Sequence, residues 1–86
     1  MKTHSRVQYT ATIGDRVRTS AQARTIVKWL VTDYINSERT VRRYDLDVRN
    51  IHTGQATTVE LNAYSYDPSG TLWTSQLLDA KAAVGA

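Results

Sequence analysis

Two segments of this chain alternate strictly between apolar and polar residues, and this pattern leaves few options for the fold. In residues 7–13 every odd-numbered residue is apolar and every even-numbered residue is polar. Tyr44, Leu46 and Val48 repeat the pattern, with charged residues between them. A period of two is typical of a strand that buries one face only. Both segments are therefore predicted to be half-buried strands of a sheet.

One stretch between the two strands has helical periodicity. Thr19-Ser20-Ala21-Gln22 has the spacing of a capping box, and the pattern predicts a helix that ends near Asn36-Ser37. Residues 16–19 could return as a hairpin arm after Gly14-Asp15 or lead straight into the helix, and we favour the direct lead-in. The apolar residues that set the helical period are Ala23, Ile26, Val27, Leu30, Val31, Tyr34 and Ile35.

The second half of the chain predicts a meander of three strands. A turn at Thr53-Gly54 folds the strand of residues 43–49 back onto the next one. A one-residue slip in this hairpin would bury two aspartates, so the apolar pattern favours a single register. That register pairs Tyr44 with Ala63, Leu46 with Leu61 and Val48 with Val59.

A second turn, at residues 67–70, predicts the last strand of the meander. Its Asp, Pro and Gly stand at the positions that a type I turn prefers. Pairing across this turn places Leu72 on the core face and Trp73 beside Tyr64 on the opposite face. Residues 75–84 could then form a short C-terminal helix.

The order of these elements predicts an α+β two-layer sandwich of strand, helix and three-stranded meander (βαβββ), with a possible short C-terminal helix. At 86 residues the chain is expected to be one domain, 1–86, with residues 1–5 and 84–86 frayed. If the first two strands are neighbours, they should run parallel through a right-handed helical crossover.

Composition excludes several classes of protein. The chain has no cysteine, which removes disulfide scaffolds, thiolate catalysis and Cys-ligated zinc. No apolar run approaches the roughly 18 to 20 residues that span a bilayer, so we expect a soluble, cytoplasmic protein without a membrane partner. The basic, Ser/Thr-rich and acid-poor start also fits a transit peptide, but the strand pattern at residues 7–13 argues against it.

Charge is distributed unevenly along the chain. Residues 1–28 carry six cations against Asp15, a net charge of +5, whereas residues 45–86 carry a net charge of −3. A surplus of this kind steers a protein towards phosphates or acidic surfaces. The alternative is an ordinary solvated face. The candidate phosphate-positioning residues are Arg6, Arg16, Arg18, Arg24 and Lys28.

The predicted registers also bring aromatic rings to the solvent face of the sheet. Tyr64, Tyr66 and Trp73 would lie together there, with Arg43 across from Tyr64. Nucleic-acid bases stack on such rings while cations contact the phosphates, so these four residues are candidates for binding single strands. The alternative is that the rings cover one another as cross-strand pairs.

Trp29 projects onto the polar side of the predicted helix, beside Asp33. A tryptophan on a polar helix face commonly marks an interface. We expect Trp29 and Asp33 to lie at a homodimer contact, with the protein's own C-terminal segment as the alternative cover.

Catalytic chemistry finds little support in these residues. Asp45, Asp47 and Glu60 would share a patch of sheet, where they could hold Mg²⁺ for nuclease chemistry, but neighbouring arginines more often neutralise such a cluster. No Gly-rich phosphate loop, nucleophile elbow or metal-ligand spacing is present. We therefore expect no catalytic residue, bound metal, cofactor or small-molecule substrate.

Two functional hypotheses follow. The first is a small non-enzymatic binding module for nucleic acid, DNA or RNA, that uses the basic N-terminal third and the aromatic sheet face. The alternative is a protein-binding accessory or inhibitor protein, of phage or mobile-element origin, that acts as a homodimer through Trp29 and the sheet face.

Overall fold

The computed structural model describes residues 6–85, which form a two-layer α+β fold. A four-stranded antiparallel sheet packs both helices on one face, so the predicted fold class and the C-terminal helix are confirmed. Neither helix has the length and apolar character needed to cross a membrane. The elements are β1 (Val7–Ile13), β2 (Arg16–Ser20), α1 (Ala23–Asn36), β3 (Arg43–Asn50), β4 (Ala56–Asn62), a single 3₁₀ turn (Ala63–Ser65) and α2 (Thr71–Ala83).

The sheet has the strand order β2-β1-β3-β4. Residues 16–20 return as a hairpin arm, with Ile13 opposite Arg16, so our preference for a direct lead-in is wrong. Gly14, at a φ of 59°, supplies the left-handed conformation that this two-residue turn needs. Because the extra arm reverses the chain, β1 and β3 are antiparallel and the predicted parallel crossover is absent between them.

Helix α1 begins later than the capping-box spacing indicates. Thr19 belongs to β2, and Gln22 is the N-cap residue without a side-chain cap. The Gln22 backbone N–H instead donates to the Ser20 hydroxyl at 3.1 Å. The predicted end of the helix at Asn36 is confirmed.

The β3–β4 hairpin lies two residues away from the predicted register. Leu46 pairs with Val59 and Tyr44 with Leu61. Asn50 explains the shift, because its side-chain oxygen accepts hydrogen bonds from the backbone N–H groups of His52 (2.9 Å) and Thr53 (3.2 Å) and so closes the turn earlier. An even-numbered shift keeps every apolar residue on the core face.

The predicted last strand of the meander is replaced by the first turns of α2. Trp73 is fully buried and Leu72 is exposed, which reverses the predicted faces. The turn itself is confirmed by the hydrogen bond from Gly70 N–H to the Asp67 carbonyl at 2.9 Å. Asp67 then starts a helix, because its carboxylate accepts hydrogen bonds from the N–H groups of Thr71 and Leu72, each at 3.2 Å.

An aromatic cluster occupies the core between the sheet and the two helices. The Trp73 ring meets Tyr44 edge-on at 5.6 Å and Tyr34 at 6.0 Å, and its indole N–H donates to the Asn62 carbonyl at 3.0 Å. Burying one such ring removes roughly 150 to 250 Å² from water, which stabilises the fold by about 4 to 6 kcal/mol.

The end of α2 is anchored to the β3–β4 turn. Val84 is buried, and its carbonyl accepts a hydrogen bond from the Asn50 side-chain amide at 3.0 Å. Val84, the first of the residues predicted to fray, is thus packed and hydrogen-bonded in the structure. The other predicted frayed segment, residues 1–5, and residue 86 lie outside the described residues.

Candidate nucleic-acid interface

The aromatic sheet platform predicted from the sequence is wrong. Trp73 lies in the core, and Tyr66 packs at 4.6 Å from Tyr34 and at 5.6 Å from Trp73. Tyr64 is 89% exposed, but it lies in the 3₁₀ turn beyond β4. The alternative interpretation, that the rings cover one another, holds for Tyr66 and Trp73.

Charged side chains occupy the sheet face that points away from the helices, here called the open face. Its β3–β4 rows pair Arg43 with Asn62, Asp45 with Glu60, Asp47 with Thr58 and Arg49 with Ala56. Arg43 contacts Asp45 at 3.3 Å and Glu60 at 3.6 Å, and Arg49 contacts Asp47 at 3.6 Å. The positive charges of this face are thus paired with its carboxylates. Within residues 6–85, no group of three or more His, Cys, Asp or Glu side chains could hold a metal ion.

The hairpin arm β2 covers Trp29. The guanidinium of Arg18 lies 4.9 Å from the Trp29 ring centre, and that of Arg16 lies 5.9 Å from it. Trp29 is consequently half-buried and packs against the core. Part of the cover on Trp29 thus comes from the β2 arm and not from the C-terminal segment, whereas the predicted homodimer contact stays a prediction.

Asp33 of α1 contacts side chains of β2 and β3. Its carboxylate accepts a hydrogen bond from the Tyr44 hydroxyl at 2.7 Å and lies 3.6 Å from the Arg16 guanidinium. Only 17% of the Asp33 side chain is exposed. Burial, and then the Asp33 carboxylate, raise the pKa of Tyr44 above its ordinary value. Asp33, predicted to lie at an interface, therefore has its carboxylate engaged within the chain.

Three predicted phosphate ligands line two clefts beside α1. Lys28 and Arg18 line one shallow cleft with Thr25, and Lys28 and Arg24 line the adjoining one, which reaches Ser69. No Asp or Glu is among the described residues that line either cleft. We call Arg18, Arg24 and Lys28 the α1 strip.

The other predicted phosphate ligands lie elsewhere. Arg16 is paired with Asp33, and Arg43 is paired with two carboxylates of the open face. Arg6 directly precedes β1, and its carbonyl accepts a hydrogen bond from Ile51 N–H at 2.7 Å, which extends the β1–β3 ladder. Of the six cations considered, only the three of the α1 strip line the two clefts.

A third cleft contains cations that the sequence analysis missed. Arg39 and Arg42 line it together with the exposed Tyr64. The dense basic run Arg39-Thr40-Val41-Arg42-Arg43 was the signal that could have revealed it. The predicted register placed Arg43, and not Arg39 or Arg42, across from Tyr64.

Comparison of the chain with protein families, with curated proteins and with solved structures gave no match.

Proposed function

We propose that this protein is a non-enzymatic module that binds the phosphate backbone of nucleic acid, DNA or RNA, through the α1 strip. The observation that carries the proposal is that Arg18, Arg24 and Lys28 line two adjoining clefts without a carboxylate among them. Cations that line a groove and have no internal counter-ion are suited to phosphate contacts. A nucleic-acid ligand also fits the cytoplasmic location predicted from the sequence.

Local geometry supports a role for Arg18. Its guanidinium rests on the Trp29 ring, which restricts the direction of the side chain, and the residue is exposed. Thr25 lines the same cleft, and its hydroxyl makes no hydrogen bond with the described chain, so it can donate to a phosphate oxygen.

The strip favours binding that does not depend on base sequence. Phosphate contacts position a protein on a duplex without reading bases, and each one makes the affinity fall with salt. Three contacts predict a slope of about −2.7 for log K against log salt on duplex DNA. Binding should therefore be clear at low salt and weak at physiological salt.

A pair of triple variants tests the proposal. Arg18→Gln/Arg24→Gln/Lys28→Gln removes the strip, and Arg6→Gln/Arg43→Gln/Arg49→Gln removes the same charge from other surfaces. We expect the first to weaken binding to a labelled duplex at least about tenfold at low salt, measured by fluorescence anisotropy. The second should bind within about threefold of the unaltered protein. Equal loss in both variants would show that net charge alone drives binding and would overturn the proposal.

The protein-binding alternative rests on Trp29 and the sheet face. The fold supports this alternative less than the nucleic-acid proposal, because β2 covers the indole ring with Arg16 and Arg18 and the open face holds paired charges. Light scattering over a hundredfold dilution checks it. A stable dimer that Trp29→Ala converts to monomer, with no oligonucleotide binding, would favour this alternative over ours.

A further inference from the structure

The cleft that contains Tyr64 lies beyond the C-terminal end of α1, at the ends of β3 and β4. The loop after α1 supplies Arg39 and Arg42, and the 3₁₀ turn after β4 supplies Tyr64. We call these three residues the Tyr64 cleft. We propose that it binds an unpaired nucleotide of a nucleic-acid strand, whose base stacks on Tyr64 while its phosphates contact the two arginines. This inference deepens the proposed function and rests on it for the choice of nucleic acid as the ligand.

Tyr64 has the properties of a stacking platform. Its ring is 89% exposed and makes no hydrogen bond or ring contact with the described chain. Its backbone is nevertheless held on both sides: Ala63 N–H donates to the Arg42 carbonyl at 2.8 Å, and Tyr66 N–H donates to the Ala63 carbonyl at 3.0 Å. A ring on a fixed backbone loses little conformational entropy when a base stacks on it.

The loop that carries Arg39 is also well defined. Arg39 N–H donates to the Tyr34 carbonyl at 2.9 Å, and the Thr40 hydroxyl donates to the Ser37 carbonyl at 2.8 Å. Glu38 and Arg39 both have positive φ angles, 58° and 61°, which are costly for residues with side chains. These hydrogen bonds fix the backbone at Arg39, and the Arg39 guanidinium lies 5.8 Å from the centre of the Tyr66 ring.

Charge at the cleft favours an anion. Arg42 is exposed and forms no ion pair with the described chain, and no Asp or Glu is among the described lining residues. The neighbouring Arg43 is directed to the open face, where two carboxylates neutralise it. A cation near the C-terminus of α1 also complements the helix dipole, which accounts for Arg39 but not for Arg42 or the exposed ring.

A duplex with a single-stranded end separates this site from the α1 strip. We expect the unaltered protein to bind a duplex with an oligo(dT) overhang at least about fivefold more tightly than the same duplex with blunt ends, for one overhang polarity. Tyr64→Ala should abolish that gain and leave blunt-duplex affinity unchanged, whereas Tyr64→Phe, which keeps the ring, should retain it. A gain that survives Tyr64→Ala, or no gain with either polarity, would overturn the inference.

Charge variants complete the test. Arg39→Gln/Arg42→Gln should reduce the gain from the overhang at least about fivefold, and Arg43→Gln, the adjacent control, should not. The two proposals fail separately. Blunt-duplex binding with no contribution from the overhang would contradict the Tyr64 cleft alone. Tyr64-dependent binding of oligo(dT) without any blunt-duplex binding would contradict the α1 strip and support the cleft.

Discussion

Asn50 is the one polar side chain among the buried residues that the structure describes, and its amide joins two parts of the chain. Its oxygen closes the β3–β4 turn through His52 and Thr53, and its nitrogen donates to the Val84 carbonyl at the end of α2. A buried amide with every group satisfied fixes the geometry around it. The residue that shifted the hairpin register therefore also fixes where α2 ends.

Asn50→Ala should lower the free energy of unfolding by about 2 kcal/mol, because the buried Val84 carbonyl loses its donor and the turn loses its acceptor. Urea denaturation gives the value. Asn36→Ala, at the exposed end of α1, is the control and should change stability by less than about 0.5 kcal/mol. Equal stability of the two variants would show that the amide contributes nothing.

Two glycines with positive φ angles, Gly14 at 59° and Gly70 at 73°, separate conformational strain from steric overlap. A Cβ on Gly70 would lie 2.6 Å from the Val27 Cγ1 atom, whereas a Cβ on Gly14 would meet nothing within 4 Å. Gly14→Ala should cost about 1 to 2 kcal/mol for its positive φ alone. Gly70→Ala should cost roughly 1 to 3 kcal/mol more, since α2 must move away from α1. Equal melting temperatures of the two variants would contradict this packing.

The Asp33 carboxylate connects α1 to β3 through Tyr44 and to β2 through Arg16. The hydrogen bond to Asp33 requires the protonated phenol. Since the pKa of Tyr44 is raised in the folded state, its contribution is complete below the unfolded pKa of about 10 and is lost as the pH rises above it. Burial raises the pKa of Tyr9 in the same direction.

Stability should accordingly decline above about pH 10, and Tyr44→Phe should make that decline shallower. In Tyr44→Phe, the buried Tyr9 still contributes part of the dependence of stability on pH. Denaturant midpoints measured between about pH 8 and pH 11.5 give both slopes. Tyr9→Phe serves as the comparison, because it removes a buried phenol that does not bond to Asp33. Identical slopes for Tyr44→Phe and the unaltered protein would contradict the link between β3 and α1.

Elements with strong local signals were predictable from the sequence, and those set by tertiary contacts were not. The period of α1, the alternation of β1 and β3 and the turn at residues 67–70 are local features, and all are confirmed. Strand β2 is short and exposed, and its sequence has no apolar stripe from which a strand could be predicted. The start of α2 did carry a signal that we missed: Trp73, Leu77, Ala80 and Val84 are buried at helical spacing.

The same limit applies to the candidate site. The cations of the N-terminal third could be named from the sequence, but which of them share a cleft depends on β2. Alternation within the arm sends Arg16 and Arg18 towards Trp29 and leaves Val17 on the open side. The predicted aromatic platform was wrong for a related reason, since a strand was assumed where the Asp67 carboxylate accepts hydrogen bonds from the first turn of a helix.

The molecule as a whole separates its charges by surface. Carboxylates of the open face pair with Arg43 and Arg49, whereas the α1 strip and the Tyr64 cleft hold cations without acidic lining residues. These two regions hold five of the eleven Lys and Arg residues, so the rest of the chain has a net charge of −2. Concentration of this kind, more than the net value, is what favours a polyanionic ligand.

The salt dependence of duplex binding is the decisive test of the α1 strip. Anisotropy titrations between about 20 and 200 mM salt give the slope of log K against log salt for the unaltered protein and for the strip variant Arg18→Gln/Arg24→Gln/Lys28→Gln. We predict a slope near −2.7 that falls towards zero in the strip variant. The same slope in both proteins, or no binding at 20 mM salt, would contradict the assignment of the α1 strip as the phosphate-binding surface.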